Sequence, residues 1–388
     1  MISKEHNTPG GHSKHTKLAR PSSGNFGHNE WAILGAPCIT IKLLADEIIK
    51  SLSANYKCAY ADTTHNDDQV SLPGRLANGA YLEYTDQINY QQFNYSPAIT
   101  PFKQRQLFAD ADMVLVNGNH QQAKAQVVII DLNKKSSLQK RVEQLKNVQL
   151  FLLADNVDDI FGFIKEAIPS WQQIPVYRMD ETEKIIGFFA ARLKEAQPVL
   201  NGLVLAGGKS LRMGFDKGSI AWHGKQQRYH MADMLKILCN EVLISRSTGQ
   251  GNSDAGYPAL NDTFTGLGPY GAILSAFREQ PDCAWLVVAC DMPLLDLSTL
   301  KYLVDRRDSS TIATTYHSDV TGFPEPLITI WEPKSYPVLL SFLAQGYSCP
   351  RKVLINSGPK VLSVPNAEAL SNANTPEDHE RIMQQITN

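Results

Sequence analysis

What most limits the folding of this chain is a rhythm: short, unbroken apolar runs recur along it, and most are followed by a stretch with helical spacing. The first set of runs is Trp31–Leu34, Lys57–Ala61, Met113–Asn117, Val127–Ile130 and Leu150–Leu153. Helical patterns lie among them at Ile39–Leu52, Ser136–Leu145, Val157–Ala167 and Glu181–Leu193. A strand with one wet face alternates apolar and polar residues, whereas an unbroken run belongs to a strand buried on both faces. The rhythm pauses at the polar, proline-closed stretch Lys194-Glu195-Ala196-Gln197-Pro198 and then restarts. Gly202–Leu205, Glu241–Ser245, Ala284–Ala289 and Leu327–Trp331 read as strands, and Gln226–Leu238, Gly268–Gln280 and Ser335–Ala344 as helices. The expectation is two tandem three-layer α/β domains with mainly parallel sheets, over residues 30–196 and 197–388. Residues 1–29 are polar and lack apolar periodicity, and read as a flexible or lightly docked arm.

Composition removes several function classes. Lys plus Arg total 37 and Asp plus Glu 39, a net charge of −2, which offers no basic footprint for nucleic acid. No apolar run approaches the ~20 residues of a spanning helix, and the first residues lack the apolar centre of a secretory signal. Six cysteines are scattered without a CxxC pair, which suits reduced, mostly buried thiols. A cytoplasmic protein with no membrane or nucleic-acid partner is expected.

One segment carries most of the chemistry: Leu205-Ala206-Gly207-Gly208-Lys209-Ser210-Leu211-Arg212-Met213-Gly214-Phe215-Asp216-Lys217. A buried strand runs straight into paired glycines, whose bare backbone lets amides approach a ligand closely. Arg212 and Lys217 add two cations, so the loop reads as an anion cradle suited to a nucleoside triphosphate. A tight turn with solvated cations is the plainer alternative. The segment is neither GxxxxGK[ST] nor GxGxxG. Asp291 follows the apolar strand Ala284–Ala289, at the carboxyl edge where open α/β sheets bind ligands. There it can hold Mg²⁺, or it can simply fasten the turn before Pro293.

The glycine segment resembles the opening motif LAGGxSxRMGxDK of the molybdenum cofactor guanylyltransferases. The likeness continues at Asp262 with Gly268-Pro269-Tyr270-Gly271, at Cys290-Asp291-Met292-Pro293, and at Asn372-Ala373-Asn374-Thr375-Pro376-Glu377. One departure is Ala272, which holds the last glycine position of GPxxG, with Gly271 one residue early. The resemblance implies a Rossmann-like nucleotidyltransferase fold for the second half. It also implies transfer of GMP from GTP to molybdopterin carrying molybdenum (Mo-molybdopterin), with release of pyrophosphate. By the same resemblance Lys217 stabilises the GTP phosphates with help from Arg212, while the Leu205–Gly208 backbone and Asp262 meet the guanosine. Asn372 and Asn374 serve the metal or the acceptor side, or else cap the terminal helix. Thr321-Gly322-Phe323-Pro324-Glu325-Pro326 looks like the substrate-side loop. Arg351 and Lys352 either meet the pterin phosphate or form a solvated basic pair. His223 and His230 read as surface or helix histidines, since an acceptor phosphate, already ionised, needs no base. Rivals are a related enzyme using another base or acceptor (cytidylyl or sugar-phosphate), and a non-catalytic cofactor carrier.

In the first half, Gly35-Ala36-Pro37-Cys38-Ile39-Thr40-Ile41-Lys42 sits where a phosphate loop would. Walker A needs glycine, lysine and Ser/Thr where Thr40, Ile41 and Lys42 stand. The layout resembles the GTP-binding adapter proteins of molybdopterin-guanine-dinucleotide synthesis, with Asn117 replacing the acid after a later strand. A degenerate adapter domain is expected, kept for the cofactor, a molybdoenzyme acceptor or another subunit.

Overall fold

The computed structural model describes residues 24–63, 72–96, 98–206, 217–246, 256–373 and 376–387. The chain divides into two compact units, one ending at Ala196 and the other beginning at Gln197.

The first unit runs β1 (Glu30–Leu34), α1 (Cys38–Leu52), β2 (Cys58–Ala61), β3 (Leu82–Asp86), β4 (Gln91–Tyr95) and α2 (Pro101–Leu107). It continues with β5 (Met113–Asn117), β6 (Ala125–Ile130), α3 (Lys135–Gln139), β7 (Val148–Leu153), α4 (Gly162–Ala167), β8 (Val176–Arg178) and α5 (Thr182–Glu195). Six strands pair in the order β2-β5-β1-β6-β7-β8, all parallel. Alternate residues feed opposite faces of this sheet. Ile33, Leu115, Ile129 and Leu152 pack on α1 and α5, while Leu34, Ile130, Phe151 and Leu153 pack with Phe161 and Ile164. Burying both faces is what makes the strand sequences continuously apolar.

Two expected helices are shorter than their periodicity suggested. The pattern at Ser136–Leu145 breaks into α3 and a 3₁₀ turn at Val142–Gln144, and the Val157–Ala167 pattern is helical only from Gly162. Val157, Ile160 and Phe161 are still buried, so the core accepts the same apolar residues from an irregular lead-in. The β3–β4 hairpin, a separate two-stranded sheet bearing the half-exposed rings of Tyr84 and Phe93, was not foreseen. The described end of the arm is docked: Phe26 is buried, and the amides of Asn25, Phe26, Gly27 and Lys124 all donate to the Glu30 carboxylate.

The second unit runs β9 (Leu200–Leu205), α6 (Gln227–Leu238), β10 (Val242–Arg246), β11 (Ala259–Asn261), α7 (Pro269–Glu279), β12 (Ala284–Ala289) and α8 (Leu297–Asp305). Then come β13 (Ala313–Ser318), β14 (Phe323–Trp331), α9 (Ser335–Ala344), α10 (Pro350–Asn356), β15 (Lys360–Leu362) and α11 (Pro376–Thr387). The sheet order is β11-β10-β9-β12-β14-β13-β15, and β14 alone is antiparallel to its neighbours. Val204, Ile244, Leu286 and Val288 face α6 and α8, while Leu203, Leu205, Trp285 and Val287 face α7, α9 and α10. From β9 the chain winds outward through β10 and β11, then returns to the other side of β9 as β12. That reversal opens a crevice at the carboxyl ends of β9 and β12, the general ligand position in open α/β sheets.

Of the six free cysteines only Cys290 is fully buried, Cys349 is exposed and the rest are intermediate, so the thiols are less buried than expected. Among the described residues, no helix is long and apolar enough to cross a membrane.

Candidate nucleotide site

Three strand ends meet at the crevice. Leu205 of β9 pairs in register with Ala289 of β12 and Ser245 of β10, so the stem of the glycine loop lies between the Asp291 turn and the β10 end. Leu205 and Ala206 are buried; Gly207, Gly208 and Arg212 lie outside the described residues. Lys217 is described in its backbone only, opening a 3₁₀ turn over Lys217–Ser219.

Asp262 comes directly after β11, next to the β10 end. Its amide donates to the Arg246 carbonyl at 3.0 Å, and the Ser245 hydroxyl donates to its Oδ1 at 3.3 Å. Burial pushes the Asp262 carboxyl up to about 6, with the Ser245 bond pulling the other way. A carboxylate so placed is poised to accept donors brought by a ligand. Its loop is held from beneath by Ser275 on α7, which is wholly buried. Ser275 accepts from the Thr263 amide at 2.9 Å and donates to the Gly271 carbonyl at 2.7 Å. Gly271 also answers the question raised by the shifted glycine. A Cβ on Gly271 would lie 2.1 Å from the Phe264 carbonyl oxygen, so this residue, not Ala272, allows the loop to close on the helix. Ser275 is the residue that sequence reasoning missed here, because its Thr263 partner lies 12 residues away in the loop before α7.

Asp291 follows β12 between the buried Cys290 and Met292. Its carbonyl accepts from the Ala373 amide at 2.8 Å, so the Asn372-Ala373 segment is stitched to the strand end that carries this acid. Asn372 is exposed beside that stitch, and Asn374 lies outside the described residues. His223 bonds the Pro293 carbonyl through Nε2 at 2.9 Å and stacks on His230 at 4.1 Å. It therefore braces the Asp291 turn from the segment after Lys217, a role its sequence context did not signal. Trp222 beside it is buried against His379 and Ile382 of α11.

The expected substrate-side loop enters β14. Glu325, at 12% side-chain exposure, takes the Arg351 guanidinium on Oε2 at 3.1 Å, while Arg351 Nε donates to the Pro324 carbonyl at 3.2 Å. Burial raises the Glu325 carboxyl; Arg351 opposes this, and the nearby Asp291 charge adds to it. Arg351 is thus joined to a carboxylate close to Asp291. Lys352 instead lies over the Tyr347 ring at 5.6 Å.

The first unit has its own carboxyl-edge cluster. Only Gly35-Ala36-Pro37 separate β1 from α1, and Pro37 has no amide to give. Gly35, at φ +95°, would place a Cβ 2.2 Å from the Ile129 carbonyl oxygen. A phosphate loop wraps its ligand with successive amides before the helix begins; here the helix has begun by Cys38. Asn117, at the end of β5, is wholly buried.

Residues 202–360 match the family profile of the MobA-like NTP transferase domain. The "Molybdenum cofactor biosynthesis bifunctional protein" of Synechocystis sp. is 31% identical over 201 residues, 51% of this chain and 58% of that protein. The match therefore spans a little over half the length of that relative. A "Probable molybdenum cofactor guanylyltransferase" of Carboxydothermus hydrogenoformans is 28% identical over 187 residues, covering 46% of this chain and 93% of that protein. Among solved structures, a molybdopterin-guanine dinucleotide biosynthesis protein A from Archaeoglobus fulgidus covers 48% of this chain and 98% of its own, at 20% identity and a TM-score of 0.41. The ends of β9, β10 and β12 that meet at the crevice lie within residues 202–360, the region that matches the MobA-like NTP transferase domain.

Proposed function

We propose that the second unit transfers GMP from GTP to Mo-molybdopterin, forming molybdopterin guanine dinucleotide and releasing pyrophosphate. The observation that carries this reading is the meeting of the glycine-loop stem with the Asp291 turn at the β9–β12 crevice, within the matched family region. The names of the relatives point to guanine and to the molybdenum cofactor rather than to another base or acceptor.

The donor set at this edge fits Mg²⁺, which takes hard oxygens and needs only one or two carboxylates beside phosphates and water. Asp291 supplies such oxygens, with the Glu325 carboxylate near enough to feel its charge. When bound, the ion neutralises charge on the triphosphate. The chain's own share is positioning: the main chain at Leu205–Gly208 and Asp262 orient the guanosine, while Lys217 and Arg212 hold the phosphates. The acceptor phosphate is already ionised and attacks the α-phosphorus in line, so no protein base is required. The stitch from Ala373 to Asp291 favours a place for Asn372 and Asn374 on the metal or acceptor side over simple helix capping. The Glu325 partner of Arg351 supports a role for that cation in shaping the loop more than in direct phosphate contact.

For the first unit, the short loop before α1 and Asn117 in place of an acid support a degenerate adapter that binds the cofactor or an acceptor molybdoenzyme without hydrolysing GTP.

Labelled GTP, Mg²⁺ and molybdenum cofactor incubated with the full chain should yield the guanine dinucleotide and pyrophosphate. Asp291→Asn should reduce that rate by at least about 10²-fold with the fold intact. Full activity in Asp291→Asn would sink the site assignment, and preferential use of CTP would favour the cytidylyl alternative. GTP hydrolysis without acceptor would refute the reading of the first unit.

A further inference from the structure

The cluster at the carboxyl edge of the first unit holds a thiol, an imidazole and a carboxylate that the transferase reaction does not use. Cys38, the first residue of the 15-residue helix α1, has its Sγ 3.2 Å from His120 Nε2. The same ring nitrogen lies 4.0 Å from Asp62 Oδ1, and both side chains are about 15% exposed (14% and 16%). Asp62 thus acts on His120 as a facing charge that favours the imidazolium. Burial alone would raise the Asp62 carboxyl, but the Thr63 amide, the Asn117 amide, the Tyr60 hydroxyl and the Lys42 ammonium together hold it below its ordinary value.

Three further observations mark a site open to a reactant. Helix α1 has no side-chain cap and no acid in its first turn, so its positive end is left to whatever anion forms at Cys38. Asn119 fixes the thiol from the other side, with Nδ2 on the Ala36 carbonyl at 2.8 Å and 3.6 Å from Cys38 Sγ; Arg141 Nη2 donates to its Oδ1 at 3.0 Å. Asn117, wholly buried at the end of β5, sets its amide beside Asp62, the acid that faces His120.

We propose that Cys38 is the nucleophile of a second reactive site, where its thiol exchanges with a small-molecule disulfide while His120 takes the thiol proton. Cys38 Sγ attacks one sulfur of the disulfide, a new S–S bond forms at Cys38, and the old one breaks. The departing thiolate collects the proton held on His120. The incoming disulfide is the oxidant, and the products are a protein mixed disulfide and one free thiol. Four other thiols are poorer nucleophiles: burial pushes Cys58 up to about 11 and Cys239 up to about 12, burial also raises Cys283, and Cys290 is enclosed. Cys349, exposed and outside this cluster, is the internal reference.

The test treats the full chain with a limiting amount of a symmetric aromatic disulfide and follows each cysteine by peptide mass spectrometry. Cys38 should be modified at least about tenfold faster than Cys349, although it is the less exposed thiol. His120→Gln should bring Cys38 down to the Cys349 rate without changing the Cys349 rate itself. Equal rates at the two positions in the unaltered protein overturn the proposal, and that comparison needs no variant. A fast Cys38 that stays fast in His120→Gln removes the imidazole from the mechanism and overturns it equally.

Discussion

Replacing Asp262 by Asn tests the electrostatics of the candidate nucleotide site without any substrate. Unfolded, the Asp262 carboxyl ionises near 3.8; folded, burial delays this to about 6. Below about pH 4 both states hold the proton and the group contributes no pH dependence. Between those values the folded state keeps a proton that the unfolded chain releases, so stability falls as pH rises, and the full penalty stands above about pH 6. Two units at about 1.4 kcal/mol each set an upper bound of about 3 kcal/mol, and the partial exposure of the group reduces this to about 1–2 kcal/mol. Asp262→Asn carries no such penalty, and its amide can still accept from Ser245. Relative to the unaltered protein, the variant should therefore gain about 2–8 °C in melting temperature between pH 4 and pH 7, at roughly 2–4 °C per kcal/mol. The assay is a paired thermal melt of full-length proteins across that range. Stability curves that run parallel from pH 4 to pH 7 would refute the assignment of a desolvated carboxyl at this strand end.

Other outcomes follow from the same geometry. Gly271→Ala should lower stability by about 2 kcal/mol or more and weaken GTP binding, because its methyl would meet the Phe264 carbonyl at 2.1 Å; calorimetric titration and melting together check this. Arg307→Ala should cost about 3–5 kcal/mol, since it leaves Glu332 buried without the guanidinium that now meets it at 2.7 and 2.8 Å; denaturant unfolding reads the loss. Ser275→Ala should cost about 1–3 kcal/mol by releasing the Thr263 amide, and should raise the KM for GTP more than it lowers kcat.

The β3–β4 hairpin and the broken helical patterns mark the limit of local information. Ser136–Leu145 has helical spacing, yet Arg141 turns from it to the Gly118 and Asn119 carbonyls, and the segment follows those distant partners. The antiparallel β14 was equally hidden, because Leu327–Trp331 is apolar in either direction of travel. At the candidate nucleotide site, Asp291 could be picked out because it follows an apolar run, and Asp262 by its place in the family-like motif before Gly268-Pro269. Ser275, His223 and the Glu325 partner of Arg351 could not, since each acquires its role from a residue supplied by another element.

Sequence alone determined the class of the fold, because a strand buried on both faces must be apolar throughout, and it singled out the glycine segment as the candidate for a backbone cradle. Tertiary structure alone decided which side chains meet. Cys38 and His120 lie 82 residues apart and touch only because β1 and β5 are neighbours in the sheet. No local pattern encodes that adjacency, since strand order is set by how the crossovers bury the faces of the sheet.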